Sequence, residues 1–355
     1  MTSMNKKNIS ILIFALVCFT MPSYAQKRES KQEFKPIIIT DQGSFAVGGT
    51  VLTDSAGHQY HGDHAYVFYQ KPVKAKAYPM VFAHGVGQFS KTWETTPDGR
   101  EGFQTIFLRK GFSTYLVDQP RRGNAGRSTE TATVSPKFDE EDWFNRFRLG
   151  IYPNYFENVQ FSHDKETLNQ YFRQMTPTLG SPDLNVYAEA YAALFDKIGP
   201  AIFVTHSQGG GVGWLTLPKT NNIKGIVAFE PGCVVPFPKG MMPEEGSVRT
   251  LSGKTEGVEV PMEVFMKFTR IPIIIYYGDN LPATNDRPEL YEWTRRLHLM
   301  RKWVALINKY GGDAMVVHLP EIGLHGNTHF PFSDLNNLQV AEQMAKWLHE
   351  KGLDK

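Results

Sequence analysis

The sequence predicts an α/β fold: a mostly parallel central sheet with helices on both faces, led by antiparallel strands and interrupted by an aromatic-rich insertion. Short apolar runs such as AIFVT, GIVAF and IPIIIYY alternate with longer segments of helical periodicity, the pattern of parallel strands joined by crossover helices. Several of these runs end at polar or glycine-containing turns. Near the start, GSFAVGGTVLT and HAYVFYQKP, beginning at Gly43 and His64, are separated by a polar turn around Asp54 to Asp63, as neighbouring antiparallel strands are.

The elements follow in order. YPMVFAHG and GFSTYLVDQP each carry an apolar run to a turn, and EGFQTIFLRKG between them forms a helix closed by glycine. NVYAEAYAALFDKIG is an amphipathic helix leading into the strand AIFVTHS; NIKGIVAFEPG and RIPIIIYYGDN supply two more strands. The long segment RPELYEWTRRLHLMRKWVALINKYGG is helical, AMVVHLP is the last strand, and NLQVAEQMAKWLHEKG closes the chain as a helix. Leu338, Ala341, Met344, Ala345 and Leu348 recur there at helical spacing and are expected to face the core. From about 135 to 181 the alternation fails and aromatic residues crowd together, which reads as a cap insertion; a smaller insertion spans about 234 to 267.

With 355 residues, 41% hydrophobic and 21% charged, the chain can form one large globular domain. Residues 1–25 read as a signal peptide: Lys6 and Lys7 precede a short apolar run, and Ser23-Tyr24-Ala25 offers a cleavage site. The domain itself is then 26–355, and the expected location is periplasmic or secreted. Cleavage would remove two lysines and no acids, taking the formal charge from +2 to zero. The apolar run is too short for a comfortable membrane span, so no stable membrane insertion is expected after cleavage. Scattered cations without a dense aromatic-interleaved patch argue against nucleic-acid binding. Of the two cysteines Cys233 alone would remain, so no intrachain disulfide forms, and it is expected to be buried rather than reactive.

The chemistry centres on THSQGGGVG. Ser207 follows a strand and precedes a potential helix start, where a sharp turn lifts a nucleophile from the sheet. Gly209 fits the G-x-S-x-G elbow, whereas Thr205 stands where that pattern has glycine. The glycines that follow weaken a helix and are better explained by tight backbone approach. His206 should point away from Ser207, so the base is sought later, at His329 with His325 as the lesser candidate. Glu230 and Asp279, each ending a strand, are equal candidates for the acid. In FAHGVGQFS a bent backbone after a strand could aim one amide at an oxyanion, with the Gln208 amide at the helix start as partner. Trp143, Phe144, Phe147, Tyr152 and Tyr155 could wall an apolar pocket. Arg121, Arg122 and Arg127 are expected to form salt bridges or brace a loop rather than bind an anion. His58, His61 and His64 fit a hairpin better than a ligand set, and neither a metal site nor a cofactor is expected.

Taken together, HGVG, TWETTPDGREGFQTIFLRKGFSTYLVDQ, NYFENVQF, THSQGG, AFEPG and HGNTH with NNLQVAEQMAKWL resemble the α/β-hydrolase superfamily, and within it the bacterial esterase 713 family. The resemblance implies a Ser207–His329–Glu230 triad, an oxyanion hole of the Val86 and Gln208 amides, and possible dimerisation. It also implies hydrolysis of a carboxylic ester through an acyl-enzyme, and the aromatic-rich insertion adds the expectation of a substrate with an apolar portion. The adjacent cysteines of the best-known family member are absent, their place taken by Val86-Gly87. A lactonase, amidase or acyltransferase with the same triad is an alternative, as is a non-catalytic small-molecule-binding protein.

Overall fold

The computed structural model describes residues 35–250 and 253–355; the expected signal peptide lies outside the described residues. From residue 37 onward the chain forms one compact unit. Its main sheet has eight strands: β1 (Ile39–Thr53), β2 (Gln59–Pro72), β3 (Met80–Ala83), β4 (Thr114–Asp118), β5 (Ala201–His206), β6 (Ile223–Phe229), β7 (Pro272–Tyr277) and β8 (Asp313–His318). Their spatial order is β1-β2-β4-β3-β5-β6-β7-β8. β2 pairs antiparallel with β1 and β4, and the remaining neighbours pair in parallel. The α/β expectation holds, including the antiparallel lead.

The early hairpin is longer than the sequence pattern suggested. The second half of the polar stretch expected to turn between Asp54 and Asp63 is strand. The reversal is confined to Asp54–His58, where Asp54 Oδ1 accepts the amides of Ala56 and His58 at 2.9 Å and Gly57 takes φ +88°. One side chain thus does the work of a backbone turn.

Parallel strands buried on both faces are mostly apolar, and β3 and β5 are fully buried, β5 ending in the polar Thr205 and His206. The major helices are α1 (Phe103–Arg109), α2 (Glu140–Arg146), α3 (Lys165–Arg173), α4 (Leu184–Ile198), α5 (Gln208–Thr216), α6 (Pro288–Lys309) and α7 (Asn337–Glu350). In α7 the buried face is Val340, Ala341, Met344, Trp347 and Leu348, while Leu338 is exposed and Ala345 half-buried. The expected stripe was thus rotated slightly, because Trp347 covers far more apolar area than Ala345 and turns the helix toward itself.

Residues 135–181 hold α2, a tight pairing of Gly150–Ile151 with Asn154–Tyr155, and α3. The smaller insertion forms a parallel pair, Val235–Pro238 with Gly257–Val260, flanked by short helices.

Register decides what gathers at one end of the sheet. Ala83 lies opposite Thr205, His206 opposite Phe229, and Phe229 opposite Tyr276. The residues that follow, His84 to Gly87, Ser207, Glu230 and Gly278, therefore emerge side by side at the carboxyl ends of adjacent strands. Beneath them Trp93 stacks on Phe332 with centroids 4.1 Å apart, beside Phe103 and Phe229. Burying each such ring stabilises the fold by about 1.5–3 kcal/mol.

Candidate active site

Ser207 joins β5 to α5 with φ 53° and ψ −119°, a backbone conformation that costs an ordinary residue about 1–3 kcal/mol. The turn is tied down on both sides: Ser207 N–H donates to Phe229 O at 3.0 Å, and its carbonyl accepts Gly210 N–H at 2.9 Å and Gly232 N–H at 3.1 Å. The glycines around it are there for space. A Cβ on Gly85 would lie 2.8 Å from Ser207 Cβ, one on Gly209 2.7 Å from His84 O, and one on Gly210 2.4 Å from Pro231 Cβ. Thr205, the departure from the elbow pattern, is accommodated by Gly213, whose Cβ position is 3.1 Å from the Thr205 methyl. The side chain of Gly213 is missing where the threonine's is extra.

Glu230, fully buried at the end of β6, also has positive φ, at 49°. Its amide donates to Tyr276 O at 2.8 Å. Oε1 accepts Gly278 N–H and Arg148 Nη2, each at 2.5 Å, which leaves Oε2 3.2 Å from His329 Nδ1. The carboxylate thus faces the imidazole, and His329 Nε2 is buried with no hydrogen-bond partner among the described residues. His329 is fully buried. Burial, and behind it the guanidiniums of Arg148, Arg296 and Arg146, hold its imidazole well below the usual histidine range, so it rests neutral.

The loop carrying His329 is braced throughout. Asp334 accepts Thr328 N–H at 2.7 Å, Thr328 Oγ1 at 2.7 Å and Asn327 Nδ2 at 3.0 Å. His206 reaches across with Nε2 2.9 Å from His329 O; it is a tie between β5 and this loop. The two acid candidates take different partners. Asp279 accepts Gly326 N–H at 2.8 Å and lies 3.6 Å from the exposed His325, so it supports the loop while Glu230 faces His329. Asp279 leaves one strand further from β5, and that displacement turns it to the outer part of the loop.

The turn after β3 is organised around two buried groups. His84 Nε2 accepts Gln119 N–H at 3.1 Å and Nδ1 donates to Gly85 O at 2.9 Å, with burial pushing the imidazole down to about 4. Arg122 donates to Gly85 O at 3.1 Å, Gln208 Oε1 at 2.9 Å and Thr178 Oγ1 at 2.7 Å. Gln208 opens α5, so its amide has no intrahelical acceptor and is available to an anion.

Against known families, the model of the alpha/beta hydrolase family matches residues 80–343, a span that runs from β3 into α7. The chain belongs to the alpha/beta hydrolase family. Among relatives of this hydrolase, a probable secreted lipase from Fungal sp. (strain ATCC 74256) is 27% identical over 301 residues, covering 77% of this chain and 82% of the relative. A novel bacterial esterase solved at atomic resolution is 29% identical, covers 90% of this chain and 99% of its own, and superposes with a TM-score of 0.72.

Beside the Val86-Gly87 turn the hydrolase has a cavity of about 510 Å³, lined among others by Val86, Gly87, Trp143, Met175 and Pro177. Of the aromatics considered for a pocket, Trp143 lines it. Phe144 and Phe147 are buried in packing, Tyr155 stacks on His163 at 4.1 Å, and Tyr152 is exposed at the surface. The rings pack on one another in two groups, Trp143 with Phe147 at 4.8 Å and Phe144 with Tyr152 and Tyr155 at 5.5 and 4.9 Å, so of the five Trp143 alone reaches the cavity wall. Met175 to Thr178 were not anticipated, since a TPT stretch reads as an ordinary loop.

Arg121 pairs with Asp63 through two contacts of 2.8 Å, and Arg127 lies over the Tyr60 ring at 4.3 Å. Both brace structure. Arg148 was missed altogether, because nothing in FRLGIY points to a partner 82 residues away. Cys233 is half-buried, and burial of its thiol pushes it up to about 12. No group of metal-ligating side chains occurs among the described residues, nor any helix long and apolar enough to cross a membrane.

Proposed function

We propose that this α/β-hydrolase cleaves carboxylic esters by serine catalysis and stands with the bacterial serine esterases of the esterase 713 type. The observation that carries the reading is the Glu230 Oε2 to His329 Nδ1 contact of 3.2 Å, with His329 Nε2 left unpaired in a site that also holds Ser207 on a strained turn. Ser207 attacks the ester carbonyl while His329 takes its proton. Glu230 orients the imidazole and stabilises the imidazolium that forms. The Val86 and Gln208 amides receive the developing oxyanion. His329 then protonates the departing alcohol and activates the water that releases the acid.

Residues 135–181 act as a cap over this centre, and the cavity beside Val86 and Trp143 takes the apolar part of the ester. Residues 1–25 direct export; the relative named as a secreted lipase supports that reading. The test is turnover of short aryl and alkyl esters by the wild-type chain and Ser207→Ala. Loss of essentially all turnover, together with phosphonate labelling of Ser207 in the wild type, is expected; equal turnover in both proteins would remove Ser207 from the mechanism.

A further inference from the structure

We infer that Arg148, supplied by the aromatic insertion, is a positioning residue for the proposed Glu230–His329 pair: it fixes the carboxylate and sets a buried positive charge beside the pair. The inference rests on the reading of Glu230 and His329 given above. Two independent features of Arg148 point to it.

The first is its backbone. Arg148 follows α2 with φ 64°, and it donates its amide to Asn145 O at 3.0 Å while Leu149 N–H reaches Phe144 O at 3.1 Å. This is the left-handed position just past a helix end where glycine is the usual occupant. An arginine there carries a backbone cost that glycine does not, and its amide and neighbours would be served as well by glycine. The side chain is what distinguishes it.

The second is where that side chain goes. It is fully buried, with Nη2 on Glu230 Oε1 and Nε on Asp279 O at 2.8 Å. One planar guanidinium thus joins the strand ends that carry Glu230 and Asp279. With Gly278 N–H also on Oε1, the carboxylate is held by that oxygen and presents Oε2 to His329. A buried ion pair is weak evidence for stability, since apolar replacements are often no less stable. Orientation and charge explain it better. The neighbouring residues make the same connection: Phe147 O accepts His329 N–H at 3.0 Å, and Arg146 O accepts Trp293 Nε1 at 2.8 Å. The insertion is therefore fastened to the acid and the base at once.

The charged and titratable groups around His329 are Glu230 from β6, His206 from β5, Arg296 from α6, and Arg146 and Arg148 from the insertion. Arg148 alone among these cations touches the carboxylate. Removing its charge makes an added proton easier to hold, whether it settles on the imidazole or on the carboxylate. The active unprotonated form then appears at higher pH.

The experiment is the pH profile of ester hydrolysis from pH 4 to 9 for wild type, Arg148→Met and Arg148→Lys. In Arg148→Met the acid limb of kcat/KM should move up by about one pH unit or more, with plateau kcat at least tenfold lower and KM little changed. Arg148→Lys should keep the limb near its wild-type position while kcat falls, because a single ammonium does not span both Glu230 and Asp279. An unmoved limb in Arg148→Met, with any rate loss matching the loss of folded protein, would overturn the inference. If Arg148→Met does not fold, Arg148→Lys decides, and a wild-type kcat there would also overturn it. Glu230→Gln separates the two levels: wild-type turnover in that variant would refute the role of Glu230 itself, whereas a deep loss beside an unmoved Arg148→Met limb would refute only the role of Arg148.

Discussion

The ring of Phe147 lies nearly parallel to the imidazole of His329, centroids 4.6 Å apart and planes inclined by 14°. Trp293 closes another side at 4.1 Å. With His329 N–H also bonded to Phe147 O, the imidazole is fixed by the aromatic insertion as well as by Glu230. Phe147→Ala should destabilise the fold by about 3–5 kcal/mol, seen as a lower denaturant midpoint. Phe147→Leu should recover most of that stability while kcat stays several-fold reduced. Full activity in the leucine variant would show that ring packing against His329 does not matter to turnover.

The acid assignment is open to a direct comparison. Glu230→Gln should lower kcat by about a hundredfold or more, since the amide no longer stabilises the imidazolium. Asp279→Asn, which touches the outer loop through Gly326 and His325, should lose less than tenfold. The reverse ranking in steady-state kinetics would exchange their roles.

Asp63 and Arg121 predict behaviour in acid. Arg121 hydrogen bonds, in a buried pairing, lower the Asp63 carboxyl to about 2 from an ordinary 3.8. A depressed carboxyl contributes stability that is present above its unfolded value and is lost as pH falls through its folded one. The loss should therefore fall between about pH 4 and pH 2, and amount to on the order of 2 kcal/mol. Chemical denaturation across that window measures it. In Asp63→Asn the whole curve should drop, since the buried Arg121 loses its buried carboxylate and keeps only the exposed Glu130 at 3.0 Å among its anionic partners, and this component of the slope should vanish.

The glycine run after Ser207 makes a separate prediction. Alanine favours a helix over glycine by about 1 kcal/mol, so Gly210→Ala would stabilise α5 if local propensity governed. Its Cβ would instead meet Pro231 Cβ at 2.4 Å and Cα at 2.9 Å. Overpacking of this kind costs about 1–3 kcal/mol, and Pro231 adjoins Glu230, so melting temperature and kcat should both fall. Gly213→Ala meets a single methyl at 3.1 Å and should lose less. A raised melting temperature for Gly210→Ala would reject close approach as the reason for the glycine.

Much of this protein was legible in the chain because it rests on local pattern. Apolar runs alternating with helical periods dictate a parallel sheet, and a serine between a buried strand and a glycine run marks a sharp turn, since only small residues fit there. His329 and Glu230 could be named as candidates from their places after strands. What tertiary structure decided was pairing. Strand register brings Glu230 rather than Asp279 to His329 Nδ1. Packing sends Trp143 to the cavity and Phe147 to the imidazole. Arg148, silent in the sequence, is carried 82 positions along the chain onto Glu230. The physical reason is the same in each case: periodicity reports which face of an element is buried, whereas the partner of a buried charge or ring is set by which other segment the folded chain lays against it.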